Sequence, residues 1–493
     1  MFVVDPKTGK DIGKQKVGGL EAFSSPIYAD GKIFYSARSG LSCILEPTEK
    51  GLKIVHRVRL SGELIHGSPI VSHGRLYIPT SGALYCIGNK DQTPVPPDPR
   101  PTQTPETPTS ADRTPARLQI TPVESLLGPG LWGQEFSIRL FNANGRYLSA
   151  KDAQVTYELK GPGKLEKAKF SAPRNSGPAV SFVTAKVGNL TSTARIRTVP
   201  DLSWSFDFSD GKVPETWIGS AYRHIVIDDD LLSSLKGQDP RAGQLYIYLT
   251  TKFTNVNATT IKIQDAGPRP DWTDFLRYFD LTGEGKPSTV EECKKQFEAG
   301  LDLLAKEKVI DTWEFSQDAA GELTLAVSRG PRKITGNAVM CKISTIPKGT
   351  RSQGWMGHTF LHDYTIQADL KGTSRHGKLP SMGLIDQRYT LALEGAAQEL
   401  QIRSWVSRLD LRFAKTMPFE WKPDVWYTLK FQSENKDGKA ILRGKAWVRG
   451  QSEPGEWTIE AADETPNVNG SPGLFGNASD AEVFIDNVKV NAN

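Results

Sequence analysis

The chain has 493 residues, of which 38% are hydrophobic and 24% are charged, and this ordinary globular composition predicts about three domains. The formal net charge of +5 is small for this length and contains no block of lysine or arginine, so we expect neither a nucleic-acid partner nor binding to an anionic membrane. No run of about 18 apolar residues occurs, which excludes a predicted transmembrane helix.

A repeat with strand-like content occupies the first ninety residues. The segment Ser25–Ile27 returns as Ser68–Ile70, and Gly31–Phe34 returns as Gly74–Tyr77 at the same offset. Short apolar strands joined by glycine turns at this period are typical of β-propeller blades. Because a propeller needs roughly four to eight blades to close, about two blades predict a partial ring that needs further blades from a longer parent chain or a partner.

The turn Asp5–Lys10 has the pattern D-x-x-T-G-K after an apolar strand, and together with the two copies it makes residues 1–90 resemble the PQQ-like β-propeller repeat. Some members of that family bind pyrroloquinoline quinone (PQQ) through a vicinal cysteine pair and a calcium site, and many are non-catalytic scaffolds. No two cysteines are adjacent here, so we expect no PQQ and a structural or partner-binding role; a remnant quinoprotein is the alternative. The resemblance implies a periplasmic or secreted protein.

The chain opens inside a repeat and shows no signal peptide, so we expect a truncated reading frame whose targeting segment is lost. The four cysteines contain no C-x-x-C spacing and predict no metal motif. Cys43 and Cys86 occupy equivalent positions in the two copies, so we expect buried free thiols at both.

Two further segments precede the largest region. Residues 91–116 are rich in proline, threonine and acidic residues and predict an extended spacer without a core. Residues 117–200 alternate apolar and polar positions between glycine and asparagine turns, which predicts an all-β unit. This unit resembles bacterial Ig-like domains of the adhesin type, although it lacks the cysteine pair of antibody domains.

Residues 201–493 predict a β-sandwich. Trp204–Phe208 is a candidate first strand and Val483–Val490 a candidate last strand. Further strands are predicted near residues 364–370, 389–394, 400–406, 409–415, 426–433 and 440–448. Together these segments, over about 200–224 and 336–493, resemble the concanavalin A-like lectin/glucanase (laminin G-like) jelly roll.

An insert at about 225–335 interrupts this pattern and contains two predicted helices. Trp272, Phe275, Leu276 and Phe279 follow helical spacing, and a second helix is predicted to begin at a capping box of Ser288 with Glu291. That helix would place Val290, Cys293, Phe297, Leu301 and Leu304 on one face. The apolar stripes are interpreted as core packing and not as a cofactor site.

Alternation along the sandwich strands predicts which side chains face outward. If Leu400, Ile402, Ser404 and Val406 face the core on one strand and Leu409, Leu411 and Phe413 face it on the next, the residues between them face outward, and the 364–370 strand exposes two more in the same way. The resulting carbohydrate-binding candidates are Gln401, Arg403, Trp405, Arg408, Asp410, Arg412, Gln367 and Asp369. An indole stacks on a pyranose ring, and planar charged groups bind its hydroxyls. The alternative is a solvated sheet face with ordinary cross-strand salt pairs.

Hydrolysis of a glycosidic bond needs two carboxyl groups on opposite sides of it. Glucanases of this fold carry them as Glu-x-Asp-x-Glu, which is absent, so that class is not expected. An enzyme hypothesis remains for insert carboxylates, namely Asp228, Asp229, Asp230 or Asp265. His358 and His362 are interpreted as loop residues and not as a metal pair, whereas calcium at Asp363, Asp386 or Asp486 is an open possibility.

The sequence thus predicts a mainly β, multi-domain protein: a partial β-propeller, a spacer, an Ig-like sandwich and a concanavalin A-like sandwich with an α-helix-containing insert. We expect a non-catalytic, extracytoplasmic binding or scaffold protein that contacts carbohydrate or a protein partner through the C-terminal sandwich. A carbohydrate-active hydrolase and a quinoprotein remnant are the alternatives.

Overall fold

The protein was analysed as a computed structural model that describes residues 1–18, 23–60, 63–89, 91, 112–174, 177–220, 223–254, 256–264, 273–281, 285–342, 352–404, 413–477 and 481–493. The chain divides into two compact units, Met1–Ala111 and Asp112–Asn493. Both are built mainly from antiparallel strands, which confirms the mainly β, multi-domain fold class. No helix among these residues is long and apolar enough to span a membrane.

The first unit contains three small sheets, β1-β2, β3-β4-β5-β6 and β7-β8-β9. Its strands are β1 Phe2–Val4, β2 Asp11–Lys14, β3 Ile27–Ala29, β4 Lys32–Ser36, β5 Leu41–Thr48, β6 Gly51–Arg59, β7 Ile70–Ser72, β8 Arg75–Pro79 and β9 Leu84–Ile87.

The two sequence copies fold into equivalent hairpins. Ile27 pairs with Phe34 in the first copy, and Ile70 pairs with Tyr77 in the second. Both turns place two successive residues at positive φ, Asp30-Gly31 at 49° and 69° and His73-Gly74 at 51° and 73°. Such turns match the twist of the strands they join, which is why glycine recurs there. The partial propeller, with further blades from a longer parent chain or a partner, stays a prediction.

The prediction for the cysteines is half correct. Cys43 is buried in the small core under β5, because β6 continues the sheet beyond it. Cys86 is exposed, because β9 is an edge strand of the three-stranded sheet. All four cysteines are free thiols.

Residues 117–198 form an all-β body of three sheets, β10-β13-β14, β11-β19-β18-β15 and β12-β17-β16, which is called the middle body. Its strands are β10 Arg117–Thr121, β11 Glu124–Leu127, β12 Gly133–Glu135, β13 Ser137–Phe141, β14 Tyr147–Leu148, β15 Thr156–Lys160, β16 Lys164–Glu166, β17 Lys169–Ser171, β18 Ala179–Val187 and β19 Leu190–Thr198. Strands β18 and β19 form a hairpin at the end of this body, and β11 pairs with β19 in parallel. The sheets enclose a core that includes Ile120, Phe136, Phe170 and Ile196.

The rest of the chain combines a sandwich with an insert. In chain order its elements are β20 Trp204–Phe206, β21 His224–Asp228, α1 Asp229–Gln238, α2 Pro240–Lys252, β22 Ala258–Gln264, α3 Asp274–Phe279, α4 Val290–Lys306, β23 Ile310–Gln317, β24 Leu323–Arg329, β25 Ala338–Lys342, β26 Ser352–Trp355, β27 Tyr364–Gly372, β28 Ser381–Asp386, β29 Tyr389–Glu394, β30 Glu399–Ser404, β31 Ala414–Pro418, β32 Trp426–Lys436, β33 Lys439–Val448, β34 Ile459–Asp463, β35 Gly473–Asn477 and β36 Val483–Ala492.

Two sheets form the sandwich. The large sheet has the order β21-β25-β36-β27-β32-β33-β34 with β20 beside β36, and the small sheet has the order β26-β35-β28-β29-β30-β31. Their inner faces bury one apolar core that includes Trp204, Tyr364, Leu391 and Phe431. The predicted strands near 364–370, 389–394, 426–433 and 440–448, together with the first and last strands, are confirmed to within a few residues, whereas most of the strand predicted near 409–415 lies outside the described residues.

The insert lies between β21 and β25, which are themselves neighbours in the large sheet. Its helices α1 to α4 and the sheet β22-β24-β23 enclose a second core. The predicted face of α4 is confirmed, since Cys293, Phe297, Leu301 and Leu304 are buried.

The predicted cap of α4 is wrong by one residue. Thr289 is the N-cap and accepts a hydrogen bond from the backbone N–H of Glu292, whose carboxylate accepts one from the Ser288 backbone. The sequence Ser-Thr-Val-Glu-Glu offers two overlapping boxes, Ser288 with Glu291 and Thr289 with Glu292, and the second is the one that is used.

Candidate functional site

The structure divides the predicted sugar-binding strip between two sheets. Gln401 and Arg403 lie on β30 of the small sheet, whereas Gln367 and Asp369 lie on β27 of the large sheet. The outer faces of the two sheets of a sandwich point in opposite directions. The prediction of a single strip is therefore wrong. Alternation shows which side chains of a strand face away from the core, but it does not show which sheet the strand belongs to. Trp405, Arg408, Asp410 and Arg412 lie outside the described residues.

The predicted alternation within β30 is confirmed. Leu400 and Ile402 are fully buried in the sandwich core and Ser404 is 1% exposed. Gln401 and Arg403 therefore lie on the opposite side of the strand, the outer face of the small sheet.

The small-sheet outer face is defined here by Trp355, Ser381, Ile385, Glu394, Gln401, Arg403 and Phe475. Strand register brings these residues together: Ala392 pairs with Gln401, and Gly383 pairs with both Ala392 and Phe475. Ile385, Ala392 and Phe475 form an apolar cluster against which the half-buried Trp355 packs. The face thus combines aromatic and charged side chains.

Arg403 is the centre of this face. Its Nη1 donates a hydrogen bond to Gln401 Oε1 at 2.7 Å and pairs with the carboxylate of Glu394. Its guanidinium lies 4.8 Å from the centroid of the Phe475 ring. The second oxygen of Glu394 accepts a hydrogen bond from Ser381 Oγ at 2.5 Å. The side chains of Arg403 and Glu394 are 16% and 21% exposed, so both retain contact with solvent.

Asp369 was predicted to be exposed and is instead only 6% exposed on the outer face of the large sheet. Its carboxylate accepts hydrogen bonds from Thr428 Oγ1 at 2.6 Å and Asn487 Nδ2 at 2.8 Å, and it lies 3.2 Å from Arg449 Nε. Arg449 also reaches Asp486 at 3.0 Å. A carboxylate so fully engaged is structural, and Gln367 beside it is half-buried.

A second ion pair on this face joins the insert to the large sheet. Lys371 Nζ lies 2.7 Å from Asp229 Oδ1, and Trp426 Nε1 donates to Asp229 Oδ2 at 3.3 Å. The ammonium also lies 4.8 Å and 4.7 Å from the ring centroids of Trp426 and Phe484. These aromatic rings shield the pair from water.

The insert carboxylates hold backbone in place. Asp228 caps α1 by accepting from the Leu231 N–H, and its other oxygen accepts from the N–H groups of Thr335 and Gly336. Asp230 accepts from the Asn337 N–H at 2.9 Å. With Asp229 paired to Lys371, all three have structural roles, and Asp265 lies outside the described residues. No observation among them supports the hydrolase hypothesis.

His358 and His362 lie in the loop before β27, as predicted. His358 is buried, its Nε2 lies 3.1 Å from the Val199 carbonyl, and burial lowers the pKa of the ring. His362 Nδ1 lies 2.7 Å from Asp363. His358 thereby connects the end of the middle body to the sandwich.

The calcium candidates are not gathered into one site. Asp363 accepts from the Asn435 N–H at 2.6 Å, and Asp486 lies in the Arg449 network. Asp386 is fully buried, and burial raises the pKa of its carboxyl well above the usual range. Within the described ranges, no three His, Cys, Asp or Glu side chains cluster as a metal site.

Sequence reasoning missed Glu394, Trp355 and Phe475 on the small-sheet outer face. Glu394 is the last residue of β29, and alternation from the buried Leu391 and Leu393 could have placed it outward. Phe475 stands in the Gly473–Gly476 motif, where no local signal distinguishes an outer position from the core.

No family model and no curated protein matches the chain in sequence. Solved structures that resemble it include a sheep galectin-11 complex with glycerol, 10% identical, covering 29% of this chain and 98% of that one with a TM-score of 0.20. Lectin II from Ulex europaeus is 10% identical and covers 32% of this chain and 88% of that one, with a TM-score of 0.22.

A glycoside hydrolase family protein from Mycobacterium thermorestibile is 13% identical, covers 32% of this chain and 78% of that one, and has a TM-score of 0.23. At such TM-scores these likenesses carry no conclusion about this chain. Its function has to be inferred from its own side-chain contacts.

Proposed function

We propose that the C-terminal sandwich is a non-catalytic carbohydrate-binding module that contacts sugar through the small-sheet outer face. The observation that carries this proposal is the grouping of Arg403, Glu394 and Gln401 beside the half-buried Trp355. Phe475 is only 4% exposed and lies 4.8 Å from the Arg403 guanidinium, so it supports Arg403 and Trp355 supplies the accessible aromatic surface. Charged planar groups bind sugar hydroxyls through charge-assisted hydrogen bonds, and aromatic surface packs against the C–H face of a pyranose ring.

The partial exposure of Arg403 and Glu394 supports this role. The two side chains are held by each other, by Gln401 and by Ser381, so little conformational entropy is lost when a ligand binds. Arg403 has five N–H donors and Glu394 has several acceptor positions, which leaves capacity for hydroxyl groups.

The test is a glycan-array measurement on the intact protein with Arg403→Ala. The matched control is Arg443→Ala on the outer face of the large sheet, where Arg443 pairs with Glu434 at 3.1 Å and Glu460 at 3.3 Å. We expect binding to fall at least tenfold for Arg403→Ala and to persist for Arg443→Ala. Trp405→Ala is measured in the same way, because alternation predicts that Trp405 faces outward two residues after Arg403.

Three results would overturn the proposal. The wild-type protein could bind no glycan, which would favour a protein partner for the sandwich. Both arginine variants could bind like the wild type, or both could lose binding equally. In either of the last two cases the small-sheet outer face is not the contact surface.

We also propose that the N-terminal unit is an extracytoplasmic assembly module that completes a propeller with further blades. Large apolar side chains in its hairpins support this role, since Tyr28, Ile70 and Leu84 are 68%, 55% and 66% exposed. Light scattering coupled to size-exclusion chromatography should show concentration-dependent association that Ile70→Lys with Leu84→Lys removes. A monomer at every concentration would contradict self-assembly.

A further inference from the structure

A cleft of about 790 Å³ lies between the insert and the loop after β20. This volume is in the range of small-molecule sites, roughly 300–1,000 Å³. It is separate from the small-sheet outer face and is called the insert cleft. Its walls come from five segments: the 209–215 loop, β21, α2 with the two residues that follow it, Val309 before β23, and the stretch from Arg329 to Ile334.

Cationic side chains predominate around the insert cleft. Lys212, Arg329 and Lys333 are exposed, and no ion pair engages them within the described part of the chain. Arg332 also lines the cleft, but its guanidinium is paired, since Nη1 donates to Glu307 at 2.8 Å and Nη2 lies 3.9 Å from Asp228. The anionic residues of the lining are Asp210 and Glu215, and Asp210 accepts from the Lys212 backbone N–H at 3.0 Å.

Without the paired Arg332, the three cations Lys212, Arg329 and Lys333 still outnumber the two lining carboxylates. A cleft with an excess of one charge and low-dielectric walls concentrates the field and attracts ligands of the opposite sign. Since no carboxylate of the described ranges pairs with Lys212, Arg329 or Lys333, their charge remains available to a ligand.

The remaining lining is largely apolar or uncharged. Val213, Val226, Phe253, Val309 and Ile334 supply hydrocarbon surface. His224 and Tyr246 lie in the wall between the two cores, where the Tyr246 hydroxyl accepts from the Asp228 N–H at 3.0 Å and His224 Nδ1 lies 3.1 Å from the Ser220 carbonyl. The site therefore offers an apolar wall beside a cationic rim.

We propose that the insert cleft binds an organic anion with an apolar body. The carboxylate or sulfonate of such a ligand would lie among Lys212, Arg329 and Lys333, and its hydrocarbon part would pack on Val213, Phe253 and Ile334. Neither an inorganic anion nor a neutral hydrocarbon would use both parts of the lining. This site is independent of the proposed sugar-binding surface.

The test compares two fluorescent probes of similar shape on the intact protein. One is the anionic 8-anilinonaphthalene-1-sulfonate and the other is the uncharged N-phenyl-1-naphthylamine. We expect saturable binding of the anionic probe with a Kd at least tenfold lower than that of the neutral probe. The charge-neutralised variant Arg329→Gln with Lys333→Gln should remove most of this difference.

A control variant, Lys164→Gln with Lys169→Gln on the middle body, removes the same charge from a distant surface and should bind like the wild type. All four substituted side chains are exposed, so the variants are expected to fold, and circular dichroism checks this. Equal affinity for the two probes, or full affinity of the Arg329/Lys333 variant for the anionic probe, overturns the proposal. So does equal weakening by the control variant.

Discussion

Lys371 and Asp229 form an ion pair with N–O distances of 2.7 Å and 2.9 Å, and their side chains are only 9% and 10% exposed. The lysine belongs to the large sheet and the aspartate to the first helix of the insert. One desolvated pair therefore links the two cores of this region of the chain.

Removing one partner of this pair should destabilise the fold strongly. Asp229→Ala leaves the Lys371 ammonium buried without a counter-ion, which typically costs about 3–5 kcal/mol. Glu158→Ala, which breaks the exposed pair with Lys186, should cost less than about 1 kcal/mol. Urea denaturation measures both free energies of unfolding, and equal values would contradict the assigned role of the buried pair.

The double variant Asp229→Leu with Lys371→Met extends this comparison. Apolar replacement of a buried ion pair is often neutral or stabilising, because neither charge must be desolvated. We expect the double variant to recover most of the stability lost in Asp229→Ala. A double variant as unstable as the single one would show that the helix contact, and not the charge, had been lost.

His224 should make stability depend on pH in mildly acidic solution. Burial lowers the pKa of its ring to about 4, against about 6.5 in the unfolded chain. The unfolded chain therefore binds this proton first, so stability is complete above pH 6.5 and falls as the pH decreases toward 4. The loss is on the order of 3 kcal/mol.

His224→Gln removes the titrating group, and its unfolding free energy should lose this component of the pH profile. His56→Gln replaces an exposed histidine on β6 and should retain the wild-type profile. Denaturation at intervals between pH 4 and 7.5 compares the three proteins. Identical slopes for the wild type and His224→Gln would contradict the burial of a neutral imidazole.

Asp386 should produce the opposite dependence. Burial raises the pKa of its carboxyl well above the usual value, so the folded chain retains a proton that the unfolded chain releases near pH 4. This contribution to stability is present below pH 4 and is lost as the pH rises. Asp386→Asn, which keeps the shape without the charge, should gain melting temperature relative to the wild type as the pH increases from 4 to 8.

This prediction is checked by measuring the melting temperatures of the wild type and of Asp386→Asn between pH 4 and 8. A difference that stays constant with pH would show that the carboxyl is ionised in the folded chain. Asp230→Asn is a suitable control, because Asp230 is exposed and lies outside the sandwich core.

Two glycines should respond oppositely to alanine. A Cβ at Gly383 would meet the Leu391 carbonyl oxygen and lie 2.8 Å from Ala392 Cα on the paired strand. Backbone must shift to admit it, so Gly383→Ala should cost about 1–3 kcal/mol. Gly237 in α1 has nothing within 4 Å of its added Cβ, so Gly237→Ala should stabilise by up to about 1 kcal/mol. Thermal denaturation distinguishes the two, and equal shifts would contradict the packing at Gly383.

The sequence predicted individual strands well and their sheet membership poorly. Alternation placed Leu400 and Ile402 inward and Arg403 outward, because period-two patterning directly reflects which side of a strand is buried. It could not show that β27 and β30 belong to different sheets, since that depends on long-range pairing such as Ile366 with Phe431.

The burial of Asp369 could not be predicted from the pattern of its own strand either. Its outward position on β27 was predicted, but its burial depends on Arg449 and Asn487, which are distant in sequence. The same holds for Glu394 and Phe475, whose proximity to Arg403 arises from the order of strands in the small sheet. Side-chain orientation is local information, whereas the composition of a site is not.

The position of the insert has a consequence for engineering. Asp228 pairs directly with Ala338 across neighbouring strands, and the whole of 229–337 is carried between these two residues. Paired residues in adjacent antiparallel strands are about 5 Å apart, a gap that a two-residue hairpin turn closes. Replacing 229–337 with Asn-Gly would therefore excise more than a hundred residues without altering strand order, but it would uncover the side chains of the large sheet that the second core buries, namely Ile225, Ile227, Val339, Cys341 and Phe484. An engineered sandwich without the insert would therefore need polar residues at these five positions.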